Sequence, residues 1–330
     1  MAFRVGTEAR GGRTILTLRD DATGAYAAVL PSYGFNLFDL RLPLAGEPRR
    51  VIVASDGWEA NPGQAGSNGI PIMFPFPNRI RDGRFRFGGK EYRTPANLGP
   101  NAIHGFAIDA NWDIVEHAAT DREAFIVGRY RISMQSPAAL ASWPTDAILQ
   151  VRYGLAGRKL TLDATVSNPT AEPLPFGFGI HPYFRLPFPP GGDLAATRVV
   201  IPASEAWELR DLLPTGRKVP VDARLDFRQG RPMAGLKLDD VLTGLATDGG
   251  RFTCRMIDEA KRAELRMTAG DGFREVVVYT PRGDGDVIAI EPYTQTTDAI
   301  NLQSRGVDAG LRVLGHGGHA TFSIALETIG

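Results

Sequence analysis

The 330-residue chain has one cysteine, Cys254, and no CxxC pair. A lone cysteine excludes an intramolecular disulfide framework, and the missing pair removes the usual structural zinc site. Both fit a reducing compartment. Long apolar runs are also missing: no segment approaches the roughly 18 apolar residues of a membrane span. The opening stretch MAFRVGTEARGGRTILTLRD lacks the apolar centre of a signal peptide. A cytoplasmic protein with no membrane partner is the expectation. No sign of charge is in excess either, since Lys plus Arg and Asp plus Glu number 37 each. That balance excludes the broad basic face that nucleic acid requires and suits a small neutral ligand. The chain also lacks a GxSxG elbow, a GxxxxGKS/T phosphate loop, a GxGxxG opening a helix and an HExxH pair, so nucleotide and serine-hydrolase chemistry lose their support.

What is present points to β structure. Hydrophobic residues make up 43% and charged residues 22%, enough for a large core and a solvated exterior. Glycine (38) and proline (24) stand between short alternating segments rather than inside helical patterns. RTILTLRD and GRKLTLDATVSN alternate apolar and polar residues with period two, as half-buried strands do. GRFRFGGKEYRT reads as a hairpin in which Gly88 and Gly89 supply the positive φ of a tight turn. AILQVRYGLA, REVVVYT, DVIAIEPYT and ATFSIALETIG add strands along the whole length. SEAWELRDLL, from Ser204, is the one segment predicted as a short helix. The stretches at 60–69 and 186–193 read as surface crossings, because strand-like segments of similar composition flank them. The expectation is an all-β fold, a large antiparallel β-sandwich, with residues 1–330 forming one domain.

Four stretches carry candidate chemistry. NGIPIMFPFPNRI, 68–80, is stiffened by Pro71, Pro75 and Pro77 and ends on Asn78 and Arg79. Proline has no amide to give a central ladder, so the segment belongs at a sheet edge or in a loop. It is either a rigid wall with a polar tip or an aromatic loop packed on the core. In GPNAIHGFA, His104 precedes Gly105, which permits close approach of another group, and Phe106, a candidate pocket floor. In DVIAIEPYTQ, alternation places Val287, Ala289 and Glu291 on one face and Ile288 and Ile290 on the other. A carboxylate ending such a strand is partly desolvated, which raises its pKa toward values useful in catalysis. In GIHPYFRLP, His181 stands among Ile180, Tyr183 and Phe184. Two imidazoles, a guanidinium and a carboxylate can move protons on a hydroxylated substrate. The set needs no metal and no cofactor, and neither is expected. His316 and His319 in GHGGHA read as a flexible turn, and Cys254 reads as a small core hydrophobe.

Taken in order, NRIRDGRFRFGGKEY, NAIHGF, HPYFRL, LDDVL and IEPYTQTTDAINL resemble the aldose 1-epimerases, or galactose mutarotase-like proteins. The resemblance spans most of the chain. It implies a supersandwich with an open cleft for a free sugar as the partner. Carried over motif by motif, it implies Glu291 as general base, His181 as general acid and His104 as an aid at the ring oxygen. It further implies that Arg79 and Asp239 bind sugar hydroxyls, with Asp240 competing for the second role. Asn78 and Tyr183 are the remaining candidate sugar contacts, and Tyr183 and Phe184 are expected to shape the wall. The chain departs from the family pattern in Gly179, Ile180 and Pro182 around His181 and in Pro292 after Glu291. Three other readings stay open: a non-catalytic sugar-binding module, a hexose-phosphate mutarotase drawing cations from RLPLAGEPRR (41–50), and a glycoside hydrolase using Glu291 with Asp239.

Overall fold

The computed structural model describes residues 2–63, 65–188, 191–281 and 286–330. Parts of the two expected surface crossings, at 64 and at 189–190, lie outside the described residues. Three antiparallel sheets of nine, eight and five strands carry the architecture, with three two-stranded ribbons beside them. The alternating segments become strands where the periodicity places them: Arg13–Asp20, Ile148–Ala156, Lys159–Ser167, Glu275–Tyr279, Val287–Tyr293 and His319–Ile329. The predicted hairpin pairs Arg84–Phe87 with Lys90–Arg93. Gly88 and Gly89 both have positive φ, and Phe85 stacks on Tyr92 at 5.3 Å.

The inner faces of the sheets share one core. Ile288 and Ile290 of the eight-stranded sheet join Leu265, Met267, Ile324 and Leu326 of the nine-stranded sheet in a single apolar cluster. Phe178 stacks on Phe322 across the same layer, at 5.5 Å. The five-stranded sheet adds Leu16, Leu18, Val29 and Leu40 to that cluster, and Phe35 beside it stacks on Tyr153 at 5.2 Å. Each fully buried side chain of this size contributes about 1.5–3 kcal/mol relative to exposure. Cys254 sits wholly inside, and burial pushes its thiol pKa up, so it packs rather than reacts.

One expectation fails. SEAWELRDLL is not helical: Ala203–Arg210 is a strand between Leu213–Pro220 and Asp239–Leu245. Ladder bonds on both edges outweigh the weak local helical preference, and the strand conformation brings Trp207 Nε1 to donate to Glu275 Oε2 at 3.1 Å. Helix is otherwise sparse among the described residues. None of it is long and apolar enough to cross a membrane.

The eight-stranded sheet positions the site. Asp239–Leu245, Glu275–Tyr279 and Val287–Tyr293 lie side by side, followed by the split strand Gly179–Ile180 and Tyr183–Arg185. Ile72–Met73 closes that edge. The proline-rich segment therefore runs where the absence of proline amides costs no central ladder bond.

Candidate active site

Strand register brings the acid and the imidazole together. Gly179 pairs with Tyr293 and Tyr183 with Ala289, so continuation of that register across Pro182 places His181 opposite Glu291. The His181 amide is held by the Pro71 carbonyl at 2.9 Å. His181 Nε2 lies 3.1 Å from Glu291 Oε1, and the two side chains are 6% and 2% exposed. Alternation works as the sequence implies: Ile288 and Ile290 face the core, while Val287 and Ala289 pack with Tyr183 on the other face. Tyr183 stacks on His181 at 4.5 Å, and its hydroxyl donates to the Gly66 carbonyl.

The second imidazole is fixed by two left-handed residues that clasp each other. Asn78 has φ 56° and His104 has φ 67°. The His104 amide donates to the Asn78 carbonyl at 2.9 Å, and the Asn78 amide donates to His104 Nδ1 at 3.3 Å. Nδ1 is thus an acceptor, which leaves the ring hydrogen on Nε2. The close approach that Gly105 permits is to the Phe74 carbonyl. A Cβ on Gly105 would lie 2.2 Å from that oxygen, and φ is 74°. Gly105→Ala is therefore expected to destabilise the fold by about 2–4 kcal/mol and to displace His104. A chemical-denaturation midpoint shift of that size checks it; an unchanged midpoint contradicts it.

Arg79 is anchored from behind. Its carbonyl accepts the Asp298 amide at 2.8 Å, and Asp298 Oδ1 accepts the Arg81 amide at 3.0 Å. The TTDAINL segment thus pins the arginine strand, a role that sequence reading did not find. In front, Arg79 Nη1 donates to Asn78 Oδ1 at 3.0 Å and Nη2 lies 3.7 Å from Asp239 Oδ2.

Glu291, His181, His104, Arg79, Asp239, Asn78 and Tyr183, all put forward from the sequence, line one cleft of about 290 Å³, the size of a single small-molecule site. Asp239, not Asp240, lines it: Asp240 turns away to a bidentate pair with Arg224, at 2.8 and 2.6 Å. Two wall residues are misplaced by the sequence reading. Phe184 is fully buried in the core, because it alternates with Tyr183. Phe106 packs edge-on against Phe76 and Trp143 instead of flooring the cleft. Arg41 and Arg50 pair with Asp39 at 2.8 and 2.9 Å, so RLPLAGEPRR brings no cation to the cleft lining. Tyr279 and Tyr293 escaped notice. Tyr279 is in register with Asp239, and Tyr293 shares the face of Glu291 by period two, so strand alternation was the available signal. His316 is tied to the Thr170 carbonyl at 2.7 Å. Among the described residues no three His, Cys, Asp or Glu side chains are grouped to hold a metal ion.

Burial dominates the electrostatics. It raises the Glu291 pKa well above the ordinary carboxylate value; the Tyr293 hydrogen bond opposes this, Asp239 adds to it and Arg79 opposes it. Burial pushes His181 down to about 3. His104, half-buried, is held well below its usual value by desolvation and then by His181 and Arg79. Asp239 is raised by burial, with Arg79 opposing. The Glu291 and His181 shifts both favour the uncharged forms of the two facing groups. Their titration belongs to the pair rather than to either residue.

A family model described as aldose 1-epimerase matches residues 15–326. The chain is 28% identical over 229 residues to the uncharacterized protein YihR of Escherichia coli strain K12, a match covering 66% of each chain. It is 30% identical over 149 residues to the galactose mutarotase of Mus musculus, covering 44% of this chain and 40% of that one. The matches thus span part of the length of these relatives. Among solved structures, a galactose mutarotase-like protein from Clostridium acetobutylicum superposes with a TM-score of 0.86 at 21% identity, covering 99% of both chains. A galactose 1-epimerase from Lactobacillus acidophilus gives 0.75 at 17% identity, with the same coverage. At such identities the likeness is one of fold.

Proposed function

The chain belongs to the aldose 1-epimerase family, and from that premise we propose that it interconverts the α and β anomers of a free, uncharged aldose in the cleft between Glu291, His181 and Arg79. The supporting observation is the 3.1 Å contact between His181 Nε2 and Glu291 Oε1 at the cleft. The two oxygens that exchange protons in ring opening, the C1 hydroxyl and the ring oxygen, are bonded to the same carbon. A base and an acid serving them must stand side by side, as these two do.

In the forward step, from the charge-separated form of the pair in which His181 holds the proton, the Glu291 carboxylate takes the C1 hydroxyl proton. The C1–O5 bond breaks as the carbonyl forms, and O5 takes a proton from the His181 imidazolium. After rotation about C1–C2, O5 attacks the other face of the carbonyl. His181 recovers the O5 proton, and Glu291 returns its own to the new C1 hydroxyl. The single proton of the pair is restored with no net change. Each positioned transfer typically contributes about 10² to 10⁴ in rate. The Nε2–H of His104 adds a donor for the ring oxygen. Arg79 and Asp239 offer a donor and an acceptor for neighbouring hydroxyls, and Asn78 and Tyr183 complete the polar lining.

Charge favours an unphosphorylated sugar. Among the described residues lining the cleft Arg79 is the one fixed cation, and Asp239 faces it at 3.7 Å. Such a pair suits hydroxyls better than a phosphate dianion.

Polarimetry of freshly dissolved α-glucose, α-galactose and a wider aldose panel, with hexose 6-phosphates in parallel, is the test. The expected result is enzyme-dependent acceleration for at least one free aldose and little for its 6-phosphate. Sugar binding by calorimetry with only the spontaneous rate across the panel would overturn the reading in favour of a binding module.

A further inference from the structure

We infer that Tyr293 is a positioning residue that holds the Glu291 carboxylate toward His181. The inference rests on Glu291 being the base and adds the device that sets its orientation and proton affinity.

The geometry gives the two oxygens of the Glu291 carboxylate different partners. Arg79 donates from Nη1 and from its backbone amide to Asn78 Oδ1, at 3.0 and 2.9 Å. Asn78 acts to lower the Tyr293 phenol pKa, against the larger effect of burial. The Tyr293 hydroxyl donates to Glu291 Oε2, leaving Oε1 for His181. The two carboxylate oxygens therefore have separate duties. One is fastened from behind, and the other faces the imidazole.

The surroundings are shaped to keep the ring in place. Tyr293 is fully buried, and its hydroxyl also lies 3.7 Å from Met73 Sδ. Gly179, its partner across the ladder, has no side chain to spare: a Cβ there would stand 2.6 Å from Tyr293 Cδ1. Burial and the adjacent Glu291 carboxyl push the phenol pKa well up, so the hydroxyl keeps its proton and acts only as a donor to the carboxylate. The other ionisable groups facing Glu291 are His181 and Tyr183 from the split strand, Asp239 and Tyr279 from the neighbouring strands, and Arg79 from the proline-rich segment. Of the tyrosines, Tyr183 gives its hydroxyl hydrogen to Gly66. Tyr293 is the one that bonds the carboxylate.

The sign of its effect is specific. A hydrogen bond to the ionised form lowers a carboxyl pKa, so Tyr293 works against burial and favours the charge-separated state of the pair in which Glu291 is ready to accept a proton. Tyr293→Phe keeps the ring and deletes the donor. The pair then holds its last proton more tightly, and that proton rests more on Glu291. The expected result is a several-fold lower plateau of kcat/KM together with an alkaline limb displaced upward by about one pH unit. A purely structural loss would lower the plateau and leave the limb in place.

The experiment pairs the pH profile of kcat/KM with infrared titration of the Glu291 carboxyl C=O band, assigned by its disappearance in Glu291→Gln. In Tyr293→Phe the protonated band should persist to higher pH than in wild type. Neither the limb nor the band moving overturns the inference, whatever the plateau does. Should Tyr293→Phe not fold, incorporation of 3,5-difluorotyrosine at position 293 strengthens the donor and should move both readouts down; no movement again overturns it. The infrared arm reads the free protein without turnover. A wild type inactive on every sugar would remove the proposed function, while the band shift would still decide the role of Tyr293.

Discussion

Glu291→Gln is expected to lower kcat/KM for anomer interconversion by about 10³-fold or more, within the range that a positioned proton transfer supplies. Sugar affinity should stay within a few-fold of wild type. The substitution is nearly isosteric, so the amide oxygen can still accept from Tyr293 and the cleft keeps its shape. What disappears is the capacity to take the C1 hydroxyl proton. Arg79 and Asp239, the proposed hydroxyl contacts, face each other at 3.7 Å and are untouched by the change. Polarimetry supplies the rate and isothermal calorimetry the affinity. A variant retaining more than about a tenth of the wild-type rate would exclude Glu291 as the base, because that residual is far above what loss of a general base permits.

His181→Gln should cost a similar factor, about 10² to 10⁴, and the two losses should not multiply. In the proposed reaction acid and base act in one exchange, so once either is missing the other has little left to do. The Glu291→Gln, His181→Gln double variant is expected to be no slower than about threefold below the slower single variant. Full multiplication of the two losses would mean that the residues serve separate steps. The pH profile provides a further check. Burial pushes His181 down to about 3, so the pair takes its second proton only well into the acid range. Wild-type activity should therefore persist below the value near 6.5 where an exposed histidine would titrate. An acid limb centred near 6.5 would show that the imidazole is solvated during turnover.

The contrast between Tyr183 and Phe184 explains how far the site was legible in advance. Both stand beside His181 in the sequence, and both were natural wall residues for a reader of the linear motif. In a strand, adjacent side chains leave on opposite faces, so one lines the cleft and the other is core. The same period-two logic, applied to Val287–Tyr293, correctly put Glu291 apart from Ile288 and Ile290. It would also have nominated Tyr293. Asp239 and Asp240 pose the same problem: composition cannot separate neighbours, whereas the Arg224 pair does.

Failures elsewhere have a different source. The segment Ala203–Arg210 has residues tolerable in a helix, yet partners on both sides make it a strand. No local window contains those partners. Phe106 likewise packs against the core instead of flooring the cleft because Trp143, distant in sequence, offers a face to pack on.

Periodicity, glycine placement and the paucity of helical stretches were enough to assign the β architecture, since these express constraints acting within a few residues. The chemistry-bearing side chains were recognisable because imidazole, guanidinium and carboxylate are uncommon beside aromatic or apolar neighbours. Their convergence was not contained in any of those local patterns. It depends on register between strands over a hundred positions apart, such as Gly179 with Tyr293. Pairing of that kind is selected by burial of the whole core, and through it His181 meets Glu291 and both proton affinities depart from their values in water.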